Sequence, residues 1–165
     1  MKKFLMIILV IFGLPTWLGA ANGQEYLQKD RLFKIHLPDG WRANEIPGKV
    51  ILLPSSGGEG IVIQFKAYTG SENPEDMKAS ILAHVERIIE IVLVPIGGQV
   101  IENRELTLDH VNARGLFYSI SLKGTLVYFI RIVLIHKGYT FNIDYGSPAK
   151  EEVEKIINLV DTFKF

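Results

Sequence analysis

Two Lys-Gly dipeptides, Lys123-Gly124 and Lys137-Gly138, cut the second half of the chain into three long apolar runs, residues 112–122, 125–136 and 139–145. Glycine-containing two-residue loops supply the positive φ that tight hairpin turns require. The runs therefore read as an antiparallel meander. Their side chains are apolar on both alternating faces over much of their length, so the meander belongs in the middle of a sheet covered on two sides. Loops this short also set the register. Leu122 falls opposite Thr125 and His136 opposite Tyr139. Counting back places Tyr118 across from Phe129, Leu116 from Arg131, and Arg131 from Asp144.

That register sorts the side chains. Phe117, Tyr128, Ile130, Ile132, Phe141, Ile143 and Tyr145 share one face and read as core. Arg114, Arg131, Asn142 and Asp144 project together from the other face, near one end of the sheet. One reading of this cluster is a binding site, in which Arg114 and Arg131 receive an anionic group or acidic partner and Asp144 holds Arg131 through a bidentate bond. The other is a partly exposed structural ion pair, the commoner case, and a one-residue slip of register would dissolve the cluster altogether.

Ahead of the meander, residues 32–37 alternate Phe33, Ile35 and Leu37 against Lys34 and His36, as a half-buried strand does. Pro38-Asp39-Gly40 turns the chain and Trp41 follows as an apolar anchor. Residues 22–30 are a polar lead-in with no strand pattern. Short strands are expected at 50–53 and 61–68, joined by the flexible connection 55–60. Asn73-Pro74-Glu75-Asp76 starts a helix: asparagine caps, proline suits the first turn, and acids favour the positive end of the dipole. Met77, Ile81, Val85, Ile88 and Val92 would be its buried stripe. A strand over 99–108 has a charged outer side and turns through Asp109-His110. A last helix over 148–162, capped by Ser147, carries Val153, Ile156, Ile157, Val160 and Phe163 inward.

Residues 1–21 have the build of a secretory leader: Lys2 and Lys3, an apolar core over 4–14, Pro15, then Gly19, Ala20 and Ala21. Cleavage is expected after Ala20 or Ala21. An uncleaved anchor is the alternative, since 4–21 carries no charge. Arg131 interrupts the one later stretch, 126–135, that approaches a span. The remainder, 22–165, reads as one domain. Removing the two leader lysines from 18 basic and 18 acidic residues leaves a weakly acidic chain without the clustered basic face that nucleic acid demands. There is no cysteine, hence no disulfide, thiolate metal site or acylated lipoprotein cysteine.

Catalytic patterns are missing. His36, His84, His110 and His136 lie on separate elements with no metal-ligand spacing, and no Gly-x-Ser-x-Gly elbow occurs. The glycines of 55–60 lead into a strand rather than a helix, so no phosphate cradle forms there. Glu86 and Glu90 share a solvated helix face with Lys78 and Arg87.

The order of strands, helix, long meander and closing helix comes with two local runs. The first is Phe33-Lys34-Ile35-His36-Leu37-Pro38-Asp39-Gly40-Trp41, which looks like a "F-x-I-x-x-P-x-G-W" opening. The second is Asn158-Leu159-Val160-Asp161-Thr162-Phe163-Lys164-Phe165. Together they resemble the PsbP-like superfamily, which includes exported bacterial proteins similar to DcrB. One departure is the turn before the meander, where a glycine is expected and His110 and Asn112 stand. The resemblance implies an α/β (α+β) fold with an antiparallel sheet of six to seven strands sandwiched between helices. It also implies a non-enzymatic, exported protein, periplasmic or extracellular, that needs no cofactor or metal. Such a protein would bind an envelope protein or a membrane-associated complex. The alternative is a carrier of a small apolar ligand or lipid, using a cavity between the sheet and the helix at 77–92.

Overall fold

A computed structural model describes residues 24–165; the leader expected at 1–21 lies outside them. Seven strands form a wholly antiparallel sheet: β3 (Trp41–Ile46), β4 (Lys49–Pro54), β5 (Ile61–Ala67), β6 (Gln99–Leu108), β7 (Val111–Leu122), β8 (Thr125–His136) and β9 (Tyr139–Ser147). They lie in the order β3-β4-β5-β9-β8-β7-β6, so the meander runs from one edge to the centre and docks against β5. Its register is the one the turns dictate, with Tyr118 opposite Phe129, Leu116 opposite Arg131, and Arg131 opposite Asp144. The three turns are alike. Asp109-His110, Lys123-Gly124 and Lys137-Gly138 each hold both central residues at positive φ, the conformation whose twist matches paired strands. Asn112 is not a turn residue; it sits in β7 opposite Thr107.

Each face of the sheet has its own cover. On one side α2 (Lys150–Val160) packs Val153, Ile156 and Val160 onto Ile130, Ile132, Phe141 and Ile143. Beside α2 lies a small hairpin, β1 (Glu25–Leu27) and β2 (Lys34–His36), which adds Phe33, Ile35 and Leu37 to the same core. The expected lead-in at 22–30 is therefore partly a strand. Its order comes from a polar clasp rather than from apolar alternation. Tyr26 donates its hydroxyl to Glu45 at 2.5 Å, the fully buried Gln28 donates to the same carboxylate at 2.8 Å, and the Lys29 amide adds a third bond at 3.2 Å. Glu45 stands on β3, itself a strand the residue pattern does not announce, because Trp-Arg-Ala-Asn-Glu-Ile lacks an alternating apolar face. Lys34 also bridges to Lys164, which brings Phe163 and Phe165 onto the aromatic core.

On the other side α1 (Pro74–Ile88) crosses β7 and β8. Asn73 caps it, accepting from the Glu75 amide at 3.0 Å, and Pro74 occupies the first turn. Ile81, Val85, Ile88 and Leu93 bury themselves against Leu116, Ile120, Val133 and Ile135, each worth ~1.5–3 kcal/mol when fully covered. Leu93, not Val92, completes the stripe. The last turns widen to a π-helical segment (Ile89–Leu93) and then tighten to a 3₁₀ turn (Val94–Ile96). Pro95 has no N–H to give the Ile91 carbonyl and its ring crowds that position, so the regular α pitch stops ahead of it. The shift exposes Val92.

Helix α2 begins later than expected. Its cap position is Ala149, without a side-chain bond, while Ser147 stays buried at the end of β9 and accepts from the Ala149 amide at 3.2 Å.

Candidate functional site

Arg131 and Asp144 stand side by side at the centre of the α1 face, on neighbouring strands in direct register. The bond is bidentate: Nε donates to Oδ1 at 2.5 Å and Nη2 to Oδ2 at 2.9 Å. Both side chains are about a quarter exposed, 27% and 23%. Burial alone would lower the guanidinium's affinity for its proton, but the carboxylate reverses this and the Arg131 pKa is raised. The pair is therefore a fixed, neutralised unit. Two of the five guanidinium N–H donors are committed to Asp144, and the planar fork holds the rest in place.

One step along the strands, Tyr118 and Phe129 face each other and stack, with ring centroids 5.2 Å apart and planes within 12°. Desolvation, moderated by Arg131 and reinforced by Asp144, pushes the Tyr118 phenol up to about 12. The next strand makes this stack possible. Gly146 lies opposite Phe129, and a Cβ there would sit 2.5 Å from the ring. A glycine inside a strand often marks such a close approach, and Gly146 in Asp144-Tyr145-Gly146-Ser147 is a sequence signal for the ring platform. Val62 on β5, opposite Asp144, extends the same surface. Helix α1 packs on β7 and β8, and Tyr118 and Phe129 lie against the core beneath it while staying half-buried themselves.

The other two residues of the expected cluster sit apart from the pair. Arg114 turns toward the sheet edge, donating from Nε to Asn103 at 2.6 Å, with Glu105 at 3.8 Å. It lines a hollow of about 160 Å³ that Lys78 and Ile81 of α1 close from above. Asn142 is occupied by His84 of α1, 3.2 Å away. Sharing a face did not gather the four into one pocket, because Arg114 and Asn142 each lie two residues along the strands from the pair and have closer partners. Where the carrier reading expects a cavity, aliphatic side chains fill most of the space between α1 and the sheet, and the hollow there is the small one beside Arg114. A larger hollow, about 300 Å³, lies on the opposite face between α2 and the β6–β8 strands.

Comparison of the sequence with protein-family models gives no match, and comparison with curated proteins gives none either. Solved structures do match. A cyanobacterial PsbP (CyanoP) from Synechocystis sp. PCC 6803 superposes with a TM-score of 0.61 over 92% of this chain and 97% of its own, at 15% identity. The fold is PsbP-like. LpqN of Mycobacterium tuberculosis, a protein involved in cell envelope biogenesis, matches at a TM-score of 0.57 and 15% identity, over 86% of this chain and 90% of its own. A Bacteroides thetaiotaomicron protein gives 0.62 at 11% identity, with the match spanning 86% of this chain but 48% of the longer one. At these identities the likeness carries the PsbP-like architecture and no residue roles.

Proposed function

We propose that the protein is a non-catalytic accessory module of the cell envelope, exported by its leader, that docks a partner protein on the strip formed by Tyr118, Phe129, Arg131 and Asp144. The observation that carries this reading is a half-buried ring stack beside a fixed, partly exposed ion pair at the margin of the α1 core. Flat aromatic area with an oriented arginine is the composition of interface hot spots, and the arginine donors not used by Asp144 suit a partner's carbonyl or carboxylate. PsbP-like and envelope-biogenesis proteins among the structural neighbours are consistent with an accessory role.

Site-specific photo-crosslinking in envelope preparations tests it. A crosslinker at Val62 should capture one envelope protein, and a crosslinker at the exposed Glu151 of α2 should not. Tyr118→Ala, or Arg131→Ala combined with Asp144→Ala, should abolish that product while leaving the circular dichroism spectrum unchanged. Equal capture from both faces, or capture indifferent to these changes, would sink the reading. The hollow under α2 favours a second one, carriage of a small apolar ligand on the opposite face. Native mass spectrometry before and after mild organic extraction separates the two, since a carrier loses bound mass and a docking module has none to lose.

A further inference from the structure

Among the described residues strand β6 is an edge of the sheet, ten residues long, and its outer backbone groups have no neighbouring strand. Edges of this length are usually covered or paired. The apolar surface of the molecule is concentrated there too. Of the nine large hydrophobic side chains exposed among the described residues, six lie in the segment that leads into and begins β6: Ile91, Val92, Val94, Ile96, Val100 and Ile101. The opposite edge, β3, carries Ile46 alone. Two independent features thus mark one edge as the side where something docks.

The charges on β6 suit a second copy of this chain. Glu102 and Arg104 share the α2 face, two residues apart, and touch at 3.3 Å. Arg104 spreads over the Phe117 ring, 4.9 Å from its centroid, and its Nε is buried without an acceptor. Consider a second copy pairing antiparallel through the same edge. Residues facing each other across such a ladder share a face of the sheet, so the two-fold axis must pass beside a residue and not between two. Centring it on Glu102, Arg104 or Glu105 sets a like charge against itself. Centring it on Asn103 sets Glu102 against Arg104 of the second copy and Arg104 against its Glu102, with the asparagine amides meeting on the axis. This register turns each charge toward its complement twice.

We infer that the β6 edge is a self-recognition surface, through which two copies join their seven-stranded sheets about a two-fold axis at Asn103. The irregularity between Val100 and Glu102 falls outside the central pairs. It bends the start of the strand, as bulges do, and carries Val100 and Ile101 toward the second copy's Glu105 and Leu106. An isologous contact of this kind closes on itself and leaves the β3 edges outermost.

Sedimentation equilibrium on the domain from Gln24 onward decides it. The unaltered protein should dimerise at micromolar concentration. Glu102→Lys and Arg104→Glu should each weaken the dimer about tenfold or more, because two attractive pairs become repulsive ones. An equimolar mixture of the two variants should regain dimers, since one strand is then wholly positive and the other wholly negative at the axis. A protein that stays monomeric at high concentration overturns the inference. So do dimers unaffected by either change. Loss in both variants without recovery on mixing would also overturn it, because that pattern belongs to the pair within one strand.

Discussion

The contact between Gly146 and the Phe129 ring makes a sharp residue-scale prediction. Gly146 has an ordinary strand φ, so a side chain there is excluded by the ring and not by the backbone. Gly146→Ala should cost about 1–3 kcal/mol in urea unfolding, the usual penalty for overpacking a filled site. In the background Phe129→Ala the same change should cost almost nothing, so a double-mutant cycle reads the contact directly. Equal penalties in both backgrounds would mean that strand propensity, not the ring, rules out a side chain. Residue detail was the least legible level of the sequence. Alternation put Arg114, Arg131, Asn142 and Asp144 on one face, which is where they are. It carries no information on which way a long side chain leans, and Asn103 and His84 claimed two of the four.

Among the elements, the meander was readable because its turns are only two residues long. Once Lys123-Gly124 and Lys137-Gly138 are turns, every partner along β7, β8 and β9 follows by counting. Strands β1 and β3 were not readable, for the opposite reason. Each depends on a distant polar partner that no local pattern reports, namely Glu45 for Tyr26 and Gln28 for Glu45. The clasp also predicts a pH response. Burial, followed by the hydrogen bond and charge of Glu45, raises the Tyr26 pKa above the usual phenol value. Folding therefore favours the neutral phenol, and the stability this provides is complete below about pH 10, where an unfolded tyrosine is also neutral. It is lost as pH rises beyond that point. Hydrogen exchange of β1 and β2 should accelerate selectively above pH 10. Tyr26→Phe should remove the pH dependence while weakening the hairpin by about 0.5–1.5 kcal/mol at neutral pH. An alkaline response that survives in Tyr26→Phe would place its origin elsewhere.

At the scale of the whole molecule, the α2 face is closed by pieces from both ends of the described chain. Lys34 and Lys164 exchange backbone bonds at 2.8 Å, and Phe33 and Phe163 pack 5.3 Å apart over Phe141. Such distant contacts form only after the sheet that supports them, since loop closure costs entropy before any contact repays it. Phe163→Ala should destabilise the fold by about 3–5 kcal/mol. It should also release β2 and the C-terminal residues together in hydrogen exchange, while β7 and β8 keep their protection. If β2 stays protected, the two ends are held independently.

The same joining of the ends governs how the molecule would carry mechanical load. Tension entering near Gln24 and leaving at Phe165 meets the β1–β2 hairpin and the Lys34–Lys164 bridge first, because β1 pairs with β2 and β2 carries the bridge. The load path is short, and Lys164 and Phe165 tie it to the seven-stranded sheet at Asp109, in the turn between β6 and β7. Pulling would peel the hairpin and α2 away while α1 and the Tyr118–Phe129 platform kept their form. Under load, the α2 layer would yield as a fuse and the Tyr118–Phe129 platform would be the last part to feel the force.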